Sequence, residues 1–344
     1  MRVALFVPAP FATVSGGYNY DRAIVAGWRA RGHTVDVLEL TGTHPLPDDT
    51  AIAAAHAAWT GLAGDAVPVI DGLCLPAFAP LADALAARGA VGLIHHPTAL
   101  EHGHSDAVRE QLRSTERALF ARLARCIVTS GDTARRLAED FGVAADRITV
   151  IEPGTAPAPR SAGSGGPGCA ILSVGVMSPR KGYDVLLRGL ARLHDLDWSL
   201  TIAGAPRDPV HAHALVALAE AFGITERVTF AGEVAASALE RLWQRADLFA
   251  LATHYEGYGM AIAEAFKRGL PVATTSGGAA GALVTADNGA TVAPGDDIAL
   301  GRMLRRMICD SALRRDMANA AWATGQGLPD WQRQADAFAL ALLR

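Results

Sequence analysis

The chain has 344 residues, 50% of them hydrophobic and 19% charged, with a formal net charge of -4. That length suffices for two domains with ordinary cores, and the composition is that of a folded protein rather than a disordered one. The near-neutral balance argues against bulk nucleic-acid binding, the four scattered cysteines show neither a disulfide framework nor metal-ligand spacing, and no apolar stretch approaches a membrane span.

Residues 2–7 read as the first strand of a parallel sheet. The run is too short for the apolar region of a signal peptide, so the chain is expected in the cytoplasm, at most touching the inner face of a membrane. Gly16-Gly17 follows, a pair that permits close backbone approach and positive φ. The G-x-G-x-x-G fingerprint of nicotinamide and flavin sites is missing. A helix over 19–31 ends at Gly32, and a strand follows over 34–40. Further strands fall at 67–70, 91–95, 126–129 and 148–151, with helices near 51–61, 79–88, 105–124 and 133–141. His95-His96-Pro97 closes the 91–95 strand, where one imidazole can meet a sugar hydroxyl. Arg109, Arg113 and Arg117 recur every four residues and fit either a solvated face or contact with anionic lipid. His102 and His104, before them, lack metal-ligand spacing.

Residues 154–168 are rich in Gly, Pro, Ser and Ala and read as a linker. The alternation then restarts: strand 170–174, helix 183–193, strand 198–203, helix 212–222, strand 228–230 and helix 237–245. Strand 247–253, helix 260–268, strand 272–274, helix 297–308 and a last amphipathic helix over 331–343 complete the chain. Strands alternating with helices indicate an α/β protein with parallel sheets, here in two halves.

The chemistry concentrates in the second half. Arg180 and Lys181 lie between its first strand and first helix, where a parallel sheet binds ligands. Two adjacent cations there neutralise a diphosphate, whereas a basic pair without an anion opposes the helix dipole. Asp195-Leu196-Asp197 has the spacing of a metal motif but falls at the opposite strand end, so no metal is expected. The densest signal is His254-Tyr255-Glu256-Gly257-Tyr258-Gly259-Met260, followed by Glu264, a strand, a glycine turn and a helix start. The helix start at Met260 offers free amides to an anion. Glu256 in the turn and Glu264 on the helix offer acceptors for hydroxyls. Gly278 follows the next strand and can add an amide.

Together these residues resemble the family-4 retaining glycosyltransferases of the GT-B fold. Glu256-Gly257-Tyr258-Gly259 through Glu264 is similar to their E-x7-E signature, Arg180-Lys181-Gly182 to their basic loop, Gly16-Gly17 to their glycine loop and Gly269-Leu270-Pro271-Val272 to the turn and strand that follow. Val176 stands where many members carry an arginine, and Pro97 where an acid is usual. The resemblance implies two Rossmann-like domains whose parallel sheets face a central cleft. Residues 1–160 would bind the acceptor and 161–328 the donor, with a C-terminal helix over 329–344 crossing back to the first domain. It implies a hexosyltransferase-type, metal-independent and cofactor-free transfer, with retention, from a UDP- or GDP-linked sugar to the hydroxyl of a glycan, lipid or small molecule, in glycan, glycolipid or polysaccharide synthesis of the cell envelope. Catalytic roles would fall to Glu256, Lys181, Arg180 and His96. Gly16, Gly17, His95, Gly257, Tyr258, Gly259, Met260, Glu264 and Gly278 would bind substrate. Truncating Glu256 or Lys181 is expected to abolish transfer and leave the fold intact. The rivals are a sugar-nucleotide epimerase of the same fold and a sugar-binding protein without catalysis.

Overall fold

The computed structural model describes residues 1–101 and 104–343, so His102 lies outside the described residues. The chain forms two compact units, Met1–Gly154 with Pro329–Arg344, and Thr155–Leu328. The first runs β1 (Arg2–Pro8), α1 (Gly16–Ala30), β2 (Thr34–Leu40), α2 (Asp49–Thr60), β3 (Ala66–Asp71), α3 (Ala82–Ala87), β4 (Val91–Ile94), α4 (Asp106–Phe120), β5 (Arg125–Val128), α5 (Gly131–Phe141) and β6 (Ile148–Val150). The second runs β7 (Cys169–Val174), α6 (Tyr183–Leu190), β8 (Trp198–Ala203), α7 (Pro209–Ala221), β9 (Val228–Gly232), α8 (Ala236–Arg245), β10 (Leu248–Leu251), α9 (Met260–Lys267), β11 (Val272–Thr275), β12 (Gly289–Val292), α10 (Asp297–Cys309) and α11 (Ser311–Gly327). The last helix, α12 (Trp331–Leu342), belongs to the first unit.

Each unit holds one parallel sheet of six strands, β2-β1-β3-β4-β5-β6 and β12-β11-β10-β7-β8-β9. Side chains alternate across a strand, and a parallel sheet covered by helices buries both faces. β1 shows this directly. Ala4 and Phe6 join one core with Ile70, Ile94 and Phe120, while Val3, Leu5 and Val7 join another with Trp28, Ile127 and Phe338. Phe338 brings α12 onto α1: its ring meets Trp28 edge-on at 4.9 Å, and the Trp28 indole donates to the Ala335 carbonyl at 3.2 Å. Gly27 makes this approach possible, because a Cβ there would lie 2.3 Å from that of Ala335. Burying a phenylalanine contributes about 1.5–3 kcal/mol, enough to fix where the last helix docks.

Two segments differ from the sequence reading. The Gly/Pro-rich stretch joins the two units without regular secondary structure, but from Thr155 on it is tied to the second unit. Its backbone amides need partners, and Asp247 supplies them: one carboxylate oxygen takes Ser164 N at 3.0 Å and the other Ala170 N at 2.8 Å. The Ser161 hydroxyl reaches the carbonyls of Gln244 and Ala246 at 3.0 and 2.8 Å. β12 and α11 are further elements beyond the pattern read from the sequence. β12 is four residues with two small ones, and α11 is rich in alanine, so neither carries a strong apolar period. Among the described residues no helix is long and apolar enough to cross a membrane. On α4, Arg109 pairs with Asp106, Arg113 with Glu110 at 3.9 Å, and Arg117 donates to the Asp140 carbonyl at 2.7 Å, so the arginine row is locally compensated.

Candidate functional site

In the second unit the strand order reverses between β7 and β10, so the loops leaving these two strands diverge and open a crevice. Both predicted clusters land there. After β7 the chain makes a 3-10 turn, Pro179–Lys181, and enters α6 through Gly182 at φ 63°. Only glycine fits, because a Cβ would lie 2.0 Å from the Ala252 carbonyl oxygen just after β10. That close approach presses the cations of one loop against the acid of the other. Lys181 Nζ donates to Glu256 Oε1 at 2.7 Å, and Arg180 Nη1 reaches the same oxygen at 3.3 Å and the Tyr255 carbonyl at 2.6 Å. Thr253 Oγ1 lies 3.0 Å from that carboxylate oxygen, and the amide of His254 donates to the Arg180 carbonyl at 2.8 Å.

Burial by itself would raise the Glu256 carboxyl. The charges of Lys181 and Arg180, with hydrogen bonds from Lys181 and Thr253, outweigh it and hold the group down at about 2. For Lys181, burial lowers the amine, Arg180 adds to that, and Glu256 opposes both. The Glu256 carboxyl is thus held in its charged form beside two basic side chains. Oε1 is fully committed, whereas no donor among the described residues reaches Oε2. Glu256 therefore keeps one free oxygen for a ligand hydroxyl. Because the pair is buried, truncating either partner is also expected to cost stability, by up to about 3–5 kcal/mol where a charge is left uncompensated.

The rest of the predicted set falls around this centre. Gly259 caps α9 at φ 101° without a side chain, and among the described residues no acceptor takes the amides of Met260 and Ala261. These are the free donors that a helix start offers to an anion. Glu264 sits in the second turn of α9, half-buried. Burial raises its carboxyl, Arg268 opposes this, and Glu240 adds to it. No donor among the described residues reaches its side chain, so it too can accept from a ligand. Gly257 lies in the turn and Tyr258 is buried beside it. Gly278 has a clear structural duty. At φ 63°, with Glu256 O where a Cβ would be 2.4 Å away, it lets the loop after β11 clamp the Glu256 backbone from both sides. Glu256 N donates to Gly277 O at 3.2 Å, and Ala279 N to Glu256 O at 2.8 Å. Asp195 is occupied by an exposed ion pair with Arg305 at 2.7 Å.

In the first unit the order reverses between β1 and β3, and the remaining predicted residues gather there. Gly16 and Gly17 are not in a loop. They form the first turn of α1, capped by Ser15, whose hydroxyl accepts from Tyr18 N at 3.4 Å. Neither has positive φ. What Gly17 provides is room: a Cβ would stand 3.2 Å from His95 Cδ2. His95 Nε2 lies 3.0 Å from Asp21 Oδ1 and 3.4 Å from Asp71 Oδ2. His96 turns to Glu101 at 2.6 Å. The turn between them is anchored from α4 by buried Glu116, which accepts from Thr98 N at 2.6 Å and Ala99 N at 3.2 Å.

Asp21, Asp71 and Thr253 escaped the sequence reading. A signal for each was present: Asp21 is one helical turn beyond Gly17 on the same face, and Asp71 and Thr253 stand at the ends of apolar strands.

Known proteins match this architecture. A model for glycosyl transferases group 1 matches residues 161–323, and one for glycosyltransferase family 4 matches residues 74–158. A D-inositol 3-phosphate glycosyltransferase from Nocardia farcinica is 32% identical over 173 residues, covering 46% of this chain; the chain spans only 38% of that protein. A sucrose-phosphate synthase from Thermosynechococcus elongatus superposes with a TM-score of 0.84 at 19% identity, over 99% of this chain and 98% of the other. The Anabaena HepE structure in complex with UDP-glucose does so with a TM-score of 0.78 at 19% identity, over 99% of each chain. The fold is thus that of the GT-B glycosyltransferases, and the two family matches support a place in the group 1 glycosyltransferases.

Proposed function

We propose that this chain is a retaining glycosyltransferase that moves a hexose from a nucleoside diphosphate sugar, UDP-linked in the first instance, to an acceptor hydroxyl without a metal. One observation carries the reading: at the β7/β10 crevice Arg180 and Lys181 converge on Glu256, beside the uncapped start of α9. The group-1 match over the same residues supports it, as does the likeness to a protein that binds UDP-glucose.

The chemistry follows from the charges. Departure of a nucleoside diphosphate leaves negative charge on the oxygen that held the sugar. Cations and amides fixed in advance stabilise that charge without reorganising. Arg180 and Lys181 supply the cations, and Met260 and Ala261 the amides. Glu256 is held ionised, so it does not serve as a proton donor near neutral pH; its free Oε2 accepts a sugar hydroxyl and orients the ring. Glu264, on the helix that opens at the diphosphate, takes the ribose hydroxyls.

The test is the purified chain incubated with UDP-glucose, GDP-mannose and other nucleotide sugars, with and without a set of acceptor sugars and lipids. Acceptor-dependent release of nucleoside diphosphate, with the product anomer read by NMR, is the expected result. Conversion of donor without acceptor would instead identify an epimerase. Binding of UDP or GDP should raise the melting temperature, by about 2.7 kcal/mol of stability at a hundredfold excess over Kd. No thermal shift with any nucleoside diphosphate would defeat the site assignment.

A further inference from the structure

The β1/β3 crevice of the first unit carries a buried cluster of its own. Asp21 and Asp71 are 1% and 5% exposed, yet both face one imidazole nitrogen, Nε2 of His95. Among the described residues no hydrogen-bond donor reaches the buried Asp21 Oδ2. Ring and backbone of His95 are both held. Tyr20 meets it edge-on at 5.3 Å, Gly17 lies under Cδ2, and the hydroxyls of Thr129 and Thr133 both donate to the His95 carbonyl, at 3.1 and 3.3 Å. The other nitrogen, Nδ1, meets no partner among the described residues, and 18% of the side chain remains open to solvent.

Two carboxylates this close in a dry site repel each other unless one of them takes up a proton or a cation lies beside both, and here one imidazole nitrogen stands within reach of both. We propose that Asp21 and Asp71 are positioning residues: acting through Nε2, they hold His95 as an imidazolium and leave Nδ1–H as a fixed donor to a hydroxyl oxygen of a substrate. The two carboxylates already compensate the ring, so the cluster carries a net negative charge and favours a neutral hydroxyl over a phosphate. His95 then has no lone pair at neutral pH and serves as a donor, never as a general base.

The electrostatics agree. Burial lowers His95, but the Asp21 charge and hydrogen bond, joined by Asp71, carry it up to about 10. Burial, joined by the charge and hydrogen bond of Asp71, raises Asp21 to about 6 against the pull of His95. Among the described residues the other titratable groups facing the cluster are Tyr20, Cys74 and His44: burial raises Tyr20 and Cys74 well above their usual values and lowers His44 against the pull of Asp71, so burial favours the neutral form of each.

The test is a titration of the full chain with 15N-labelled histidine, read from the imidazole nitrogen shifts between pH 5 and 11. His95 should show both nitrogens protonated through pH 8. In Asp21→Asn its midpoint should fall by at least one pH unit, about tenfold in proton affinity, and Asp21→Glu should restore it. Should Asp21→Asn fail to fold, Asp71→Asn is read in the same way. This readout needs no catalysis, so it stands apart from the glycosyl-transfer reading. Its kinetic counterpart rests on that reading: kcat/KM of the wild type should show no histidine limb between pH 6 and 8, and Asp21→Asn should acquire one. A wild-type His95 that titrates near its ordinary value overturns the proposal. So does stoichiometric retention of a divalent metal that shifts the His95 signals on EDTA treatment, since a ligating Nε2 carries no proton; the three side chains have ligand atoms within 4.8 Å of one another and offer that alternative.

Discussion

The two units place their polar clusters at equivalent points, where each parallel sheet reverses its strand order, yet with opposite residue balance, two basic side chains on one acid against two acids on one histidine. At β7/β10, Arg180 and Lys181 face Glu256; at β1/β3, His95 faces Asp21 and Asp71. The helix starts differ in the same sense. Ser15 caps α1 with its hydroxyl, whereas Gly182 and Gly259 cap α6 and α9 with no side chain, so that among the described residues no side chain caps either start. Topology thus fixes where the polar side chains gather, and a few residues fix their character. On the proposed reading, the cationic crevice takes the diphosphate and the anionic one takes hydroxyls.

The sharpest way to break this contrast is to remove the charge at β7/β10. Lys181→Met should lower turnover by about 100-fold or more and cost about 3–5 kcal/mol of stability, because Glu256 stays buried with only part of its compensation. Paired with Glu256→Gln, the loss of stability should be smaller than the sum of the single losses, which urea unfolding of the four proteins would show. Additive losses would mean the ion pair does not couple the two loops.

Gly182→Ala should follow, at about 1–3 kcal/mol, since it forces a left-handed residue against the Ala252 carbonyl. It should also weaken nucleoside diphosphate binding in a thermal-shift titration by moving Lys181. The equivalent change in the first unit, Gly17→Ala, meets only a ring edge at 3.2 Å and should cost less.

The two clusters should also respond to opposite ends of the pH scale. Glu256 is depressed to about 2, so its contribution is present above the unfolded carboxyl value and is lost as pH falls toward 2. His95 is raised to about 10, so its contribution is complete below the unfolded imidazole value and is lost as pH rises toward 10. Unfolding free energies measured across pH should lose their acid limb in Glu256→Gln and their alkaline limb in His95→Asn. Unchanged limbs would disconnect the clusters from stability.

The smallest effect is expected from Ser15→Ala, about 1 kcal/mol from the lost cap of α1. It should leave UDP binding unchanged, since the amides it frees belong to the first unit. A change in UDP affinity would blur the distinction between the two helix starts.

Much of this molecule is legible in its sequence. Strand and helix periods are local, so the alternation of elements and the restart in the second half follow from residue order. The motif from Glu256 to Glu264 is contiguous, and Arg180-Lys181 is a dipeptide, so both are visible in the sequence, and their order and spacing together point to the chemistry. Where elements lacked a period, as in β12 and α11, the sequence was silent. Where a polar loop looked free, Asp247 had claimed it from a distance of 77 residues.

What only the tertiary structure decided is which groups share a charge. Lys181 and Glu256 are 75 residues apart, and His95 and Asp21 are 74 apart. No local pattern encodes such pairs, because their energy depends on strand order and on burial, which exist only after the chain has closed. The residues set the available charges and hydrogen-bonding groups; the reversal of each sheet, and the glycines that let its loops touch, chose their partners.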